Sequence, residues 1–441
     1  MSSVDEPRAS LSATPQIDEE KVEAPPPAMM RPSAPDGGLA AWMVVLGTWC
    51  TSFCSFGWLN SIGVFQEYYE TELLTSYSAS TISWIPSLQI FFMMGLGPLV
   101  GYIYDRSGTR YLLPIGTFLH VFGIMMTSLG KEYYQILLAQ GVCSAIGVAA
   151  IFQPAVTSLA GWFDKSRGIA FGIAFTGSSL GGVIFPIMVT RLIASVGFGW
   201  SMRISAFVIL FFLAIANLMV RQYKALQAPP KAAGSSPSTS PDAKKSSPFT
   251  ELNFVLLMAG FFLFSYGFFV VINYLPVQAL AAGMNANLAA YMLPILNAAS
   301  LFGRLFAGWS GDKIGRYNVF IVVCFLTGIW VLALWLPAHG DGAIIAFAVL
   351  FGFFSGAFVS LIVPLVMAIS PMAELGLRSG IITLTMAISG LTTNPINGAI
   401  LDSHGGWSGL KIFSGVFCLA GTFFVLLIRV RQVGWSLVKK Y

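Results

Sequence analysis

The stretch "GYIYDRSGTR", residues 101 to 110, follows one long apolar run, and "GWSGDKIGR", residues 308 to 316, follows another. Gly101, Asp105, Arg106 and Gly108 match Gly308, Asp312, Lys313 and Gly315 at a constant offset of 207. A second echo, "SRGIAFG" against "LRSGIIT", sets Arg167 and Arg378 at the start of later apolar runs at nearly the same offset. The chain therefore reads as two related halves. Parallel repeats about an axis along the membrane normal are a known way to build a solute pathway.

Composition says what surrounds those halves. The chain has 441 residues, 56% hydrophobic and only 10% charged, with mean hydropathy +0.76. A soluble domain carries about 25% charged residues, so this one cannot present an ordinary water-facing surface. It reads as an all-α integral membrane protein embedded in a lipid bilayer. Runs of about 20 apolar residues, enough to cross ~30 Å of hydrocarbon, fall near 41–65, 80–103, 112–129, 136–162, 167–194, 201–220, 253–282, 288–309, 318–337, 343–369, 377–400 and 410–430. Twelve transmembrane helices in two six-helix pseudo-symmetric halves are expected.

The connecting segments have a different composition. Residues 1–35 are Pro-, Ser-, Ala- and Glu-rich without an apolar core, and read as a disordered cytosolic tail rather than a signal peptide. Residues 36–223 form the N-terminal half. A Pro/Ser/Ala/Lys-rich cytosolic linker follows at 224–250, then the second half at 251–431 and a short cytosolic tail at 432–441. With the N-terminus in the cytosol, nineteen Lys and Arg fall in cytosolic segments and four outside. That bias sets the orientation and accounts for the net charge of +5 without a nucleic-acid partner. The five cysteines all lie in apolar runs and read as packing residues. No cysteine–histidine cluster suggests a metal, and no phosphate-binding glycine loop points to ATP or another cofactor.

The glycines of the 101–110 stretch allow helices and a tight turn to approach closely. Its acid–base pair can lock neighbouring helix ends, with Asp105 facing the positive end of a helix. Gly101, Asp105, Arg106, Gly108, Arg110, Asp312, Lys313, Arg167 and Arg378 are thus candidate gating residues. The stretch resembles the signature loop of the major facilitator superfamily. "APDGGLAAW" (34–42) and "GWFDKSRGIAFGIAFTGSSLGG" (161–182) narrow the resemblance to the monocarboxylate-porter branch, in particular its fungal members. Members of that branch that couple lactate-type acids to protons use a Lys late in span one and an Asp one turn before the span-eight Arg. Asn60 and Ser300 stand at those positions here, so proton coupling is left open.

Arg304 keeps the family's arginine, the one cation inside a span. An arginine at a helix centre costs about 3 kcal/mol on insertion scales and normally faces the bundle interior with a partner. Every Asp and Glu lies in a tail or loop or at a span end. Three explanations stay open: Arg304 snorkels toward Asp312, it is satisfied by carbonyls and amides such as Asn60, Asn273 or Asn297, or its missing anion is the substrate. Asn60, Gln153, Tyr266 and Asn273 lie in spans that line the cavity in this superfamily, and with Arg304 and Ser300 they are the candidate substrate-binding residues. His120, in span three, reads as structural.

The expected function is secondary transport, by alternating access, of a small organic solute such as a monocarboxylate or larger weakly anionic acid. Export of a fungal secondary metabolite is the alternative. A non-transporting sensor is the rival from another class. An enzyme is not expected, because no span carries paired carboxylates or a nucleophile with a base. The plasma membrane is the expected location, with the vacuolar membrane as alternative.

Overall fold

The computed structural model describes residues 34–223, 247–403 and 405–434. Most of the expected tails and linker, at 1–33, 224–246 and 435–441, lies outside these residues. The described residues form no strand. The helices are α1 Leu39–Leu73, α2 Ala79–Ser107, α3 Leu112–Thr127 and α4 Tyr133–Ala160. One helical stretch, Arg167–Met219, holds α5 and α6 on either side of Gly197. The second half has α7 Leu252–Ala281, α8 Ala286–Ile314, α9 Arg316–Trp335, α10 Asp341–Ala368, α11 Leu375–Asp402 and α12 Gly406–Val433.

Among the described residues ten helices are long and apolar enough to cross a membrane, with Leu112–Thr127 a shorter apolar one. Dividing the 53-residue stretch at Gly197 completes twelve. Gly197 has φ 79°, a conformation costly for a residue with a Cβ, and this lets the chain reverse between α5 and α6 without a loop. The apolar run of span one ends near residue 65, but α1 continues to Leu73 through Glu67, Glu70 and Glu72. Hydropathy sees only the buried part of such a helix. The backbone ladder continues into its polar end.

The bundle is apolar outside and close-packed inside. Phe118, Phe211, Phe302 and Leu99 are exposed, as a lipid-facing perimeter requires. Inside, hydrophobicity gives helices no preference for one another over lipid, so small residues that admit close backbone approach matter most. Gly57 of α1 faces Gly181 of α5 so tightly that a Cβ on either would meet the other's Cα. Prolines recur at matching places in the two halves: Pro154 in α4 and Pro364 in α10, Pro186 in α5 and Pro395 in α11. Each removes one N–H from its helix's hydrogen-bond ladder.

The repeat seen in the sequence has a structural counterpart. Gly108 ends α2 with φ 69° and Gly315 ends α8 with φ 100°, so both turns use a backbone conformation open to glycine. Both turns lie on the face where the Lys- and Arg-rich segments gather, called here the basic face.

Candidate functional site

At the basic face the two halves meet along two matching seams. On the first, α2 packs along α11. Asp105 accepts hydrogen bonds from the amides of Gly376 at 2.9 Å and Leu377 at 2.8 Å, the opening turn of α11. On the second, α8 packs along α5. Asp312 accepts from the amides of Gly168 at 2.8 Å and Ile169 at 2.9 Å, the opening turn of α5. Each carboxylate satisfies two N–H groups that have no partner in their own helix, and sits at the positive end of its dipole. Glycines make the approach possible. A Cβ on Gly101 would overlap the Gly376 carbonyl, and one on Gly308 would overlap the Gly168 carbonyl.

The basic residues of the two loops act differently from the acid–base lock expected of them. Arg106 lies over the Tyr102 ring at 4.2 Å, Lys313 over Trp309 at 4.0 Å and Arg110 over Tyr111 at 5.6 Å. None of the three forms a salt bridge within the described residues. The amides at a helix start already supply each carboxylate with two aligned donors, so the cations stack on aromatic rings of their own half instead. Arg316 is the cation beside Asp312, at 3.0 Å, and it also donates to the Asp164 carbonyl across the seam.

Arg167 and Arg378 brace the helix starts from behind. Arg378 grips Glu251, just ahead of α7, with two bonds of 2.7 and 2.6 Å, and donates to Glu374 at 3.2 Å. That guanidinium holds the Glu251 carboxyl below the ordinary carboxylate range. Arg167 donates to the Phe163 carbonyl and pairs with Asp164 at 3.3 Å. Asp36 ties the entrance of α1 to the same loop, accepting from the amides of Asp164 at 2.6 Å, Lys165 at 2.7 Å and Ser166 at 3.3 Å. Burial pushes the Asp36 carboxyl up, but these amides outweigh it and hold it below its usual value. The partnership of Arg378 with Glu251 left no trace in the sequence, since 127 residues separate them.

Deeper in the bundle, α1, α5 and α8 share a string of polar groups. Arg304 is buried and donates through Nε to Ser300 Oγ at 3.2 Å. Its Nη1 donates to the Phe175 carbonyl and to Ser178 Oγ, both on α5. Ser300 meets Ser179 at 3.3 Å. One turn further, Asn297 donates to Asn60 Oδ1 at 2.9 Å, and Asn60 donates to the Phe56 carbonyl beside a π-helical turn of α1. Of the three explanations for Arg304, snorkelling to Asp312 is not what the structure shows: the guanidinium donates to groups on α5 and on its own helix and forms no salt bridge with Asp312. Carbonyl and hydroxyl oxygens satisfy it here, and none of them comes from Asn60, Asn273 or Asn297. Among the described residues it has no carboxylate partner. Phe56, Phe152 and Phe175 pack beside this string, Phe56 edge-to-face on Phe152 at 4.8 Å and Phe152 tilted against Phe175 at 5.8 Å between centroids.

The remaining candidates lie elsewhere. Tyr266 meets Thr392 at 2.8 Å, and Asn273 donates to Asn394 at 2.8 Å, both joining α7 to α11. No hydrogen bond among the described residues joins this pair to the Arg304 string. Gln153 of α4 reaches the Gly376 carbonyl at 3.5 Å and so belongs to the α2–α11 seam rather than to the centre. Ser178, Ser179, Thr392 and Asn394 were not among the candidates. Only the "GSSLGG" run at 177–182 hinted at α5.

Two matching helical halves, closed on one face and holding a buried cation inside, make up the form of a membrane solute carrier. The Major Facilitator Superfamily model matches residues 44–351 and 297–438, and the chain belongs to that superfamily. It is 57% identical over 429 residues to MFS transporter asaE of Aspergillus flavus, covering 97% of this chain and 95% of that one. It is 53% identical over 409 residues to the fujikurins efflux protein of Gibberella fujikuroi, covering 92% and 86%. With the aspyridones efflux protein apdF of Emericella nidulans it shares 38% over 421 residues, covering 95% and 83%. Among solved structures, the transporter FucP in its outward conformation matches with TM-score 0.66 at 16% identity, covering 88% of this chain and 98% of that one, a likeness of fold.

Proposed function

We propose that this transporter exports a weakly acidic, amphipathic secondary metabolite from the cytosol across the plasma membrane. The observation that carries the substrate class is Arg304: a buried guanidinium with no carboxylate partner in the described residues, beside an aromatic wall. A planar donor fork suits a carboxylate or enolate, and the rings of Phe56 and Phe152 suit an apolar body. The names of full-length relatives that export fujikurins and aspyridones support the direction. The basic face is then the cytosolic one, by the positive-inside bias.

Kinship with the monocarboxylate porters is part of the same proposal, supported by Asp36-Gly37-Gly38, the run from Arg167 to Gly182, and Arg304. With Asn60 and Ser300 at the positions of that branch's Lys and Asp, the proposed cargo is larger than lactate. Everted vesicles test the reading with a panel of amphipathic organic acids, each beside its methyl ester. Uptake of an acid but not its ester, lost in Arg304→Gln, is expected. Equal uptake of acid and ester removes the anion from the proposal.

A further inference from the structure

Arg304 is held from across the molecule. Its Nη1 acceptors, the Phe175 carbonyl and Ser178 Oγ, belong to the first half, whereas Arg304 belongs to the second. Those bonds lie on the same seam as Asp312 with Gly168, about two to three helical turns deeper along α5. The packing there is dense: a Cβ on Gly172 would meet the Arg304 carbonyl, and Gly182 abuts the Asn297 amide. When the basic face opens, α5 and α8 must part along this line. Arg304 then keeps Ser300, on its own helix, and loses both acceptors from α5.

A guanidinium stripped of acceptors inside a membrane bundle is costly, because a buried charge needs its hydrogen bonds. We infer that Ser178 and the Phe175 carbonyl are positioning groups that share Arg304 with the cargo. They hold it while the basic face is closed, and an anionic solute releases the seam by taking their place as acceptor. The α5 run Gly177–Gly182 is then the element that senses the occupant. Ser178 faces Arg304, Ser179 faces Ser300, Gly181 faces the π-helical turn of α1, and Gly182 faces Asn297. This rests on the reading of Arg304 as the anion site, but its first test needs no substrate.

Spin labels on cysteines replacing exposed Lys165 and Lys313, one on each side of the seam, report its opening by pulsed electron resonance in reconstituted full-length protein. In Ser178→Ala the ratio of open to closed seam should rise roughly tenfold or more, the scale of one lost hydrogen bond to a charged group. Ser178→Thr, which keeps the hydroxyl, should stay near wild type. Ser179→Ala removes an equally buried hydroxyl that touches Ser300 instead, and should change the ratio far less. Equal opening in all three variants, or none in Ser178→Ala, overturns the latch.

The release step is tested with 1-pyrenebutyrate and its methyl ester as probes. The acid should raise the open fraction in wild type and not in Arg304→Gln, and the ester should do neither. An equal response to acid and ester overturns release by an anion, whether or not the latch stands. A latch that stands while no metabolite is exported overturns the proposed cargo and leaves the latch in place.

Discussion

The carboxylate of Asp312 accepts a hydrogen bond from the amide of Gly168 at 2.8 Å, across 144 residues of chain. Asp105 stands to Gly376 in the same relation, at 2.9 Å across 271 residues. One device, used twice, joins the two halves at the basic face. Asp105→Asn or Asp312→Asn preserves the shape but turns one acceptor into a donor facing a helix-start amide. Each should weaken closure by about 1–2 kcal/mol, the range for a charge at a partly buried helix end. The two act on different helix pairs, so their free energies should add in the double variant. Seam opening measured by spin labels checks the magnitude, and transport should fall in step.

Gly101→Ala tests whether close approach, rather than the carboxylates, limits closure. The added methyl meets the Gly376 carbonyl, which belongs to a helix backbone and cannot rotate away. Overpacking of this kind costs about 1–3 kcal/mol. Gly308→Ala, against the Gly168 carbonyl, should behave alike. By contrast Gly63→Ala, where no atom lies within 4 Å of the added carbon, should leave transport unchanged.

Arg378 and Glu251 should set the stability of the second half in acid. Arg378 is almost fully buried and Glu251 a third exposed, so separating them should cost roughly 2 kcal/mol, less than a wholly buried pair. Arg378→Lys cannot reproduce the two parallel bonds and should be nearly as damaging as Arg378→Gln. The folded Glu251 carboxyl titrates below its ordinary value of 4.5. Its contribution is therefore full above that value and is lost as pH falls through the lower, folded one. Thermal unfolding followed from pH 7 to pH 3 should show this loss in wild type, with a shallower slope in Glu251→Gln.

His120 should matter for stability and not for solute choice. It is fully buried, with Nε2 at 3.1 Å from the Cys54 carbonyl and Nδ1 at 2.9 Å from Ser144 Oγ. A carbonyl can only accept, so Nε2 carries the proton, and the ring bridges α1, α3 and α4. His120→Phe leaves the Cys54 carbonyl, inside the π-helical turn of α1, without that donor. A loss of about 1–3 kcal/mol is expected. Unfolding by heat should register it, while the order of preference among transported acids stays the same.

The membrane class, the twelve spans and the twofold repeat were legible because they rest on properties that recur locally. Apolar length reports bilayer thickness, and the spacing of Gly101, Asp105 and Gly108 reports one helix end and one turn. Arg304 stood out for the same reason, as a charge where its neighbours permit none. Its partners were not legible. Ser178 and the Phe175 carbonyl lie on another helix more than a hundred residues away, and Ser178 is an ordinary serine in a glycine-rich run. Gln153 and Arg304 were grouped because the span of Gln153 lines the cavity in the superfamily and Arg304 is the charge inside a span. Depth along a helix is readable from its sequence, but the neighbour its side chain meets depends on rotation and on which helix packs there.

By itself, then, the sequence determined that this chain is a two-half helical membrane bundle with a basic face and one charge inside, because composition and periodicity act through local physics. Only the tertiary structure decided which groups oppose one another across the halves. It set the acids on helix-start amides rather than on the neighbouring bases, and gave Arg304 to α5. Those pairings depend on glycine seams that bring distant backbones together, and contact between helices far apart in the chain leaves no period in the sequence that encodes it.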